Sequence, residues 1–290
     1  MPQARISDRS LISVSGPEAE HFLQNLVTTD IDALQPGEAK AGALLSPQGK
    51  ILFDFLVARA GENGFRLECR TDIADDLVRR LTLYKLRSKV EISRQDPPVV
   101  LVSWSDGSSP DGETAAGADM LRDTRFAGAP VFRTYGAAAG GDDGIDAWQA
   151  FRISQGVAES GADYALGNAF PHDVLLDETG GVGFRKGCYV GQEVVSRMQH
   201  RGTARRRVMI ASAETPLPPT GTDILAGGRS IGSLGSVSGS QALAIVRIDR
   251  VRDAQGTGQQ IVAGGVALTL SIPAWAKYRL PEVAAGAGET

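Results

Sequence analysis

The residues of this chain best suited to chemistry surround a single thiol, Cys188. Four glycines and two cations precede the sulfur in the segment Gly180-Gly-Val-Gly-Phe-Arg-Lys-Gly-Cys-Tyr-Val-Gly-Gln-Glu193. Helical periodicity over residues 190–200 predicts that Cys188 lies in the turn just before a helix. The positive end of a helix and the neighbouring Arg185 and Lys186 both favour the thiolate, which is the form that reacts with electrophiles and binds metals.

A free cysteine can instead be a buried structural residue that behaves as a small apolar side chain. The chain has one other cysteine, Cys69, without such a setting. The glycines and cations around Cys188 favour an activated thiol, so we expect Cys188 to be alkylated faster than Cys69 in the native protein. One turn further along, Gln192 and Glu193 are placed either to hydrogen-bond a ligand or to cap the helix.

Composition narrows the class of protein. The 290 residues suit one large domain or two to three smaller ones, and 35 glycines indicate many turns and a β-rich fold. The net charge of -4 argues against a general attraction to nucleic acid. The low cysteine content indicates a reducing compartment. Without an apolar leader or an apolar run of about 18 residues, the chain is predicted to be cytoplasmic, with no membrane contact.

The metal-ligating residues are sparse. Two thiols do not supply the four ligands that an iron–sulfur cluster normally takes. The three histidines are scattered and lack the spacing of metal ligands. No stably bound metal or iron–sulfur cluster is therefore expected.

Apolar periodicity in the first half of the chain predicts an α+β layer that positions these residues. A helix begins near Pro17, and a second covers Asp72–Leu86. Strands are predicted at 11–14, 41–45, 50–58, 65–69, 90–93 and 99–104.

The second half of the sequence has a different pattern of residues. Segments 105–118 and 136–144, rich in glycine, predict exposed loops, and a helix is predicted at 145–156. Beyond residue 205, short β-branched runs predict a small barrel or sandwich; they cover 208–211, 231–237, 242–248 and 262–272.

The eight residues Lys186–Glu193 read K-G-C-Y-V-G-Q-E, and here the chain resembles the YgfZ-type folate-binding family, which includes a mitochondrial iron–sulfur assembly factor. Segments 22–31, 45–50 and 86–92 resemble the same family, in order along nearly the whole chain. The resemblance implies the three-lobed fold of the glycine-cleavage T protein, an aminomethyltransferase. That fold has two α/β lobes with antiparallel sheets and a small C-terminal β-barrel.

The resemblance also implies domain limits. Residues 1–203 would form a bilobed folate-binding region, with a ferredoxin-like lobe at roughly 40–135 inside it. Residues 204–283 would form the barrel, and 284–290 a loose tail.

By the same resemblance, the chain binds tetrahydrofolate and assists iron–sulfur client proteins, including enzymes that thiomethylate transfer RNA. The implied catalytic residues are Cys188, Lys186 and Glu193. The implied folate contacts are Trp148, Arg152, Tyr189, Gln192 and Arg197. The aromatic rings among them are suited to stacking on a pteridine.

The chain departs from the T-protein pattern at two positions. Relatives of the T protein have R-x-E-x-G, whose carboxylate grips the pteridine, whereas this chain reads Arg152-Ile-Ser-Gln-Gly156. Ser154 cannot reproduce the paired hydrogen bonds of a carboxylate, which argues against aminomethyl transfer unless Glu159 replaces the missing acid. The family's second tryptophan corresponds to Arg9.

A run of cations from Arg197 to Arg207 has three interpretations. It is a solvated surface, a binding site for the glutamate carboxylates of a folate, or a weak binding site for transfer RNA phosphates. Three functions therefore stay open: a folate-dependent iron–sulfur accessory protein, a tetrahydrofolate-dependent aminomethyl- or methyltransferase, and a non-catalytic module that binds RNA or protein.

Overall fold

A computed structural model of the protein describes residues 1–95, 100–105, 120–136 and 144–281. These residues form two compact units. The first contains the described residues of 1–148, 166–171 and 176–197, and the second contains those of 149–165, 172–175 and 198–290. The predicted domain limits were continuous ranges, whereas each unit here is assembled from separate stretches of chain.

The first unit is built on nine strands and two helices. The helices are α1 (Ala19–Gln24) and α2 (Thr71–Lys85). The strands are β1 (Gln3–Ile6), β2 (Arg9–Ser15), β3 (Glu38–Leu45), β4 (Ile51–Arg59), β5 (Gly64–Arg70), β6 (Glu91–Gln95), β7 (Val100–Trp104), β8 (Met120–Asp123) and β9 (Val131–Tyr135).

The nine strands form one sheet in the order β1-β7-β9-β8-β3-β4-β5-β2-β6. The neighbours pair antiparallel except β3 and β8, which pair in parallel through Glu38 with Arg122 and Ala39 with Asp123. The sheet, predicted to be antiparallel, is thus mixed at this one pair. A pattern of apolar residues gives the face of a strand and not its partner, so this pairing had no sequence signal.

Apolar faces of α1 and α2 cover part of this sheet. Phe22 and Leu23 of α1 and Leu77 and Leu81 of α2 belong to one buried cluster with sheet residues such as Leu67. The spacing of these residues at three and four positions is what brought one face of each helix to the core. This cluster fixes the segment between α1 and β3, which supports the candidate site.

A buried charge network links β5 to β8 and β9, which are not its neighbours in the sheet. Arg133 of β9 pairs with Glu68 of β5 and donates to Asp123 of β8 at 3.0 Å. The Tyr135 hydroxyl donates to Glu68 at 2.8 Å, and Arg125 also pairs with Asp123. Burial alone would raise the pKa of Asp123, but the charges of Arg125 and Arg133 lower it. The Asp123 carboxylate is therefore charged and depends on its two arginines.

Residues 144–201 supply two further helices, α3 (Ile145–Ser154) and α4 (Gln192–Arg201), with a short 3-10 helix, Pro171–Val174, between them. The second unit adds α5 (Ile248–Thr257) and seven strands. The strands are β10 (Arg206–Ser212), β11 (Asp223–Ala226), β12 (Arg229–Ser238), β13 (Gln241–Arg247), β14 (Ile261–Ala263), β15 (Val266–Ala267) and β16 (Thr269–Ser271).

The seven strands form an antiparallel sheet in the order β15-β14-β11-β12-β13-β10-β16, which curls into a nearly closed barrel. Its interior holds small and branched residues such as Ala244, Val246 and Ile224. This is the barrel that the β-branched runs after residue 205 predicted as one of two alternatives. The protein accordingly has a mixed α+β fold with a C-terminal β-barrel.

Several elements had not been predicted. They are β1, β8, β9, β11 and α5. The predicted loops at 105–118 and 136–144 and the predicted tail lie almost wholly outside the described residues. In the part of the chain that is described, no helix is both long enough and apolar enough to cross a membrane.

The buried charge network gives a stability prediction. Arg133→Met would leave Glu68 short of a partner and Asp123 paired only with Arg125, so we expect a loss of about 3 to 5 kcal/mol in the free energy of unfolding. Denaturant titration measures this loss. The matched control is Arg79→Met, because Arg79 pairs with Asp76 on the exposed face of α2, where a pair contributes about 0 to 1 kcal/mol. Equal effects of the two substitutions would show that the network is not a buried constraint.

Candidate functional site

The segment around Cys188 is attached to the core of the first unit at its beginning. We call residues 180–191 the cysteine loop. The Thr28 hydroxyl donates to Gly181 O at 2.7 Å and accepts from Ala43 N at 2.9 Å. Gly183 N in turn donates to Thr28 O at 2.8 Å. Thr28 is fully buried, so it bridges β3 and the cysteine loop with both its side chain and its backbone.

Lys186 attaches the middle of the loop. Its ammonium donates to the carbonyls of Val27 and Thr29, each at 2.7 Å, and the residue is only 9% exposed. Burial lowers the pKa of Lys186 to about 8, although Asp30 and Asp32 act to raise it. The sequence-based expectation was that this cation activates the neighbouring thiol. The structure instead gives it an anchoring role, since its donors are directed to backbone carbonyls.

Two glycines allow the close approach of the loop to the core. A Cβ on Gly191 would lie 2.5 Å from Ser46 O, and its φ of +79° is one that other residues rarely adopt. A Cβ on Gly183 would lie 2.8 Å from Lys186 Cδ. Packing therefore favours glycine at positions 183 and 191, and the positive φ adds a second reason at position 191, whereas a Cβ on Gly187 would meet no atom within 4 Å.

The sulfur itself lies on the surface. Cys188 is exposed, whereas Cys69 is buried in β5, and burial raises the pKa of Cys69 to about 12. Cys188 lies in the loop before α4, as predicted, but the helix begins only at Gln192, whose amide donates to Tyr189 O at 3.2 Å. The activation of the thiol by the helix end stays a prediction.

Tyr189 is buried beside this exposed sulfur. The residue is 7% exposed, and its ring centroid lies 5.2 Å from Lys186 Nζ. Its hydroxyl finds no hydrogen-bond partner among the described residues. Burial raises the pKa of Tyr189 to about 12, so the hydroxyl keeps its proton. An unpartnered buried hydroxyl is unfavourable by about 1 to 3 kcal/mol, and such a group is commonly satisfied by a ligand or water.

The first turns of α4 carry the other polar residues predicted for the site. Gln192 donates its amide to Gly187 O at 3.3 Å, which closes the end of the cysteine loop. Glu193 and Arg197 form an exposed ion pair one helical turn apart. Glu193 is 83% exposed in its side chain, so it is a solvated acid rather than a buried one.

Trp148 is packed in the core of the first unit. It is 1% exposed, and its ring centroid lies 5.5 Å from that of Trp104 and 5.3 Å from that of Phe126. The predicted stacking of this ring on a pteridine is therefore less favoured than core packing, because a ligand would have to displace these neighbours. As a folate contact, Trp148 stays a prediction.

Arg152 connects several segments of the second unit through hydrogen bonds of its side chain. Its guanidinium is fully buried and donates to Val157 O at 2.7 Å, to Asp163 at 2.6 Å and to Ser236 Oγ at 2.6 Å. With its donors used in this way, Arg152 ties α3 to barrel strand β12. These partners leave Arg152 little capacity to bind a folate, and as a folate contact Arg152 stays a prediction.

Neither Ser154 nor Glu159 is placed to replace the carboxylate of the T-protein pattern. Ser154 is exposed, and its hydroxyl donates to Phe151 O at 2.7 Å. Glu159, the predicted substitute, is buried, with Oε2 at 3.8 Å from Arg152 Nε. Because this buried carboxylate faces Arg152, the structure does not favour Glu159 as a free pteridine acceptor.

The basic run is not one continuous surface. Arg207 is buried, donates to His172 O at 3.0 Å and stacks on the Tyr278 ring at 5.1 Å. Arg201, Arg205 and Arg206 remain exposed. Among the described residues, no group of three or more potential metal ligands lies close enough together to hold a metal ion.

Two family models match the chain. Residues 6–103 match the GCVT N-terminal domain, and residues 205–278 match the CAF17 C-terminal beta-barrel domain. The second match covers the barrel described above. The first covers most of the nine-stranded sheet.

Relatives match over much of the chain. The human mitochondrial iron–sulfur cluster assembly factor IBA57 is 30% identical over 311 residues, which cover 93% of this chain and 84% of the relative. The chain belongs to the IBA57 family. The mouse protein of the same name is 29% identical with the same coverage, and the Mycosarcoma maydis homologue is 32% identical over 76% of this chain and 60% of the relative.

A solved structure supports the fold. The aminomethyltransferase T of the glycine cleavage system from Bartonella henselae superposes with a TM-score of 0.72, covering 97% of this chain and 87% of that one at 18% identity. At this identity the likeness shows the fold alone. The aminomethyltransferase-like fold expected from the sequence is thereby confirmed.

The predicted cytoplasmic location was wrong by these comparisons. The relatives named above are all called mitochondrial proteins. The prediction rested on the low cysteine content and on the lack of an apolar leader or a long apolar run. The first indicates a reducing environment, and neither distinguishes one reducing compartment from another.

The two cysteines give a direct prediction on the site. In the native protein, Cys188 should react with iodoacetamide at least about tenfold faster than Cys69, because only Cys188 is exposed and the thiolate of Cys69 is disfavoured by burial. Peptide mass spectrometry after timed quenching measures both rates. Cys188→Ser should remove the fast phase, and Cys69→Ser should preserve it. Equal rates in the native protein would contradict an exposed, accessible Cys188.

Proposed function

We propose that this protein is a tetrahydrofolate-binding accessory factor for the assembly, maintenance or repair of iron–sulfur proteins, with Cys188 as its functional thiol. Its clients include enzymes that thiomethylate transfer RNA. The observation that carries the proposal is the exposed Cys188 next to the buried, unpartnered hydroxyl of Tyr189, both on an anchored loop.

The thiol is suited to transient rather than permanent chemistry. One sulfur on a surface loop is open to a client protein, and two cysteines do not complete the usual ligand set of a cluster. An iron–sulfur cluster is therefore cargo or substrate in this proposal and not a resident group. Membership of the IBA57 family supports an assembly role.

The folate part of the proposal rests on how the loop residues suit a reduced pterin. Tyr189 has a protonated hydroxyl that lacks a partner among the described residues, and its neutral form both donates and accepts a hydrogen bond. A pterin edge carries amide and amino groups of both kinds. Gln192 supplies a side-chain amide in the same loop end. Tyr189 and Gln192 are the residues that would hold the ligand.

A second candidate, aminomethyl transfer, has less support. The exposed Ser154 replaces the acid of the T-protein pattern, and the buried Glu159 faces Arg152. The third candidate, an RNA-binding module, has Arg201, Arg205 and Arg206 in its favour, but the run is shortened by the burial of Arg207. A weak contact with transfer RNA through these residues belongs to the proposal as a secondary feature.

The thiol assignment is tested in cells that lack the protein and are supplied with variants of it. Cys188→Ser should leave the protein folded, because the side chain is exposed, and should give iron–sulfur enzyme activity as low as that expected in cells without the protein. Aconitase activity, normalised to aconitase protein, measures this loss. Cys69→Ser is the matched control and should retain activity. Full activity with Cys188→Ser would show that the sulfur is not the functional group.

The folate assignment is tested by calorimetric titration of the purified protein with tetrahydrofolate. Tyr189→Phe removes only the hydroxyl, so affinity should fall about tenfold, as expected for one lost buried hydrogen bond. Tyr84→Phe on α2 is the control for loss of a phenol elsewhere. Unchanged affinity in Tyr189→Phe would remove Tyr189 from the folate site, and no binding to the wild type would remove folate from the proposal.

A further inference from the structure

We propose that the end of α2 is a docking surface for a protein partner that presents acidic side chains around an apolar recess. The surface comprises Leu83 and Leu86 with the cations Arg80, Lys85, Arg87 and Lys89. It is independent of the cysteine loop and of the function proposed for it. We call it the leucine–cation surface.

The two leucines are unusually exposed. Leu83 is 66% exposed and Leu86 is 87% exposed. The apolar face of α2 that the sheet covers is a different one, formed by Ala74, Leu77 and Leu81. Leu83 and Leu86 therefore do not contribute to the core, although each would gain from burial of its side chain.

The backbone at Leu86 is unfavourable for a leucine. Leu86 follows the last helical residue with φ of +49°, a region that side chains with a Cβ rarely adopt. Glycine is the common residue where a helix ends with positive φ, because it lacks the Cβ. Folding alone would favour glycine here. A leucine that is both strained and exposed to water indicates that the side chain serves a contact outside the folded chain.

Positive charge surrounds the leucines. Arg80, Arg87 and Lys89 are exposed, and no described acidic side chain pairs with Arg80 or Arg87. Arg79, one residue earlier, is already paired with Asp76. Glu18 accepts from Lys89 N at 2.8 Å, and together with Leu86, Arg87 and Ser88 it lines a recess of about 690 Å³. This local excess of cations in a chain of net charge -4 favours an acidic partner.

Exposed leucines together with cations favour a protein partner over a nucleic acid or a membrane, which cations also attract. A nucleic acid would contact the cations through its phosphates and leave both leucines in water. A membrane-surface helix needs a continuous apolar face along its length, and that face of α2 is already buried against the sheet. Two apolar anchors within a charged rim are instead the usual composition of a small protein interface.

The strain at Leu86 provides a test variant that need not damage folding. Leu86→Gly removes the apolar anchor and relieves the positive φ, so the midpoint of denaturant unfolding should stay the same or rise. Partner binding should nevertheless fall. A substitution that stabilises the fold while it weakens binding separates the docking role from a structural one.

The partner is obtained by photocrosslinking the full-length protein in its own cells, with benzoylphenylalanine introduced at Leu83, and at exposed Glu62 as the control position. The protein crosslinked only from position 83 is purified and titrated against the wild type, Leu86→Gly and the pair Arg80→Glu with Arg87→Glu. We expect Kd to rise at least about tenfold in both variants, and wild-type binding to weaken as salt increases.

Four results would overturn the proposal. They are the absence of any protein crosslinked specifically from position 83, a partner that binds Leu86→Gly as tightly as the wild type, a partner whose binding survives the charge reversal, and a loss of folding in Leu86→Gly that accounts for the lost binding. Binding of phosphatidylserine vesicles or of transfer RNA that is abolished by Leu86→Gly would assign the surface to a membrane or to RNA instead.

Discussion

The buried hydrogen bonds of Thr28 and Lys186 are the constraint on which the proposed site depends. Both side chains are removed from water, so each polar atom needs a partner inside the protein, and the partners are supplied by the cysteine loop and by residues 27–29. If the loop moved away from the core, the Thr28 hydroxyl would lose its acceptor Gly181 O, and the carbonyls of Val27 and Thr29 would lose the Lys186 ammonium, which is unfavourable. The loop is therefore held, and the sulfur at its exposed end has a fixed place.

This arrangement explains how an exposed thiol can lie on a loop that is attached to the core on both sides of it. The anchoring atoms precede Cys188 in the chain, and Gly191 closes against Ser46 after it. Between these attachments the chain exposes one thiol and buries one phenol. Such a loop suits a protein that meets its clients transiently, in keeping with membership of the IBA57 family, and it differs from a metal site, which would gather several ligands around one point.

The sequence predicted the parts of the molecule that have local signals. Periodicity predicted the β-branched strands after residue 205 and the two amphipathic helices up to residue 86. It also predicted that Cys188 lies in the turn before a helix. Thr28 was missed as an anchor, and the only signal for it was the family resemblance of residues 22–31. Its partners, Gly181 and Ala43, are brought together by tertiary folding, for which spacing along the chain carries no information.

The same reason explains why the sequence did not show the partners of the charged and aromatic residues. Lys186 was predicted to be catalytic and Arg152 to contact folate. In the structure, both side chains donate their hydrogen bonds to oxygen atoms of the protein. The aromatic ring of Trp148 is of a kind that often stacks on ligands, but in the structure it packs against other core aromatic rings. The network of Arg133, Glu68 and Asp123 had no sequence signal, because its members come from three separate strands.

Hydrogen exchange over residues 181–190 in the wild type and in Thr28→Val tests the central claim most directly. Valine keeps the shape of threonine but cannot donate to Gly181 O or accept from Ala43 N, and Thr82→Val on the exposed side of α2 is the control. The account predicts at least about tenfold faster exchange in the cysteine loop of Thr28→Val, with exchange in β4 and β5 unchanged. Loop exchange equal to that of the wild type would show that Thr28 does not hold the loop and would contradict the account.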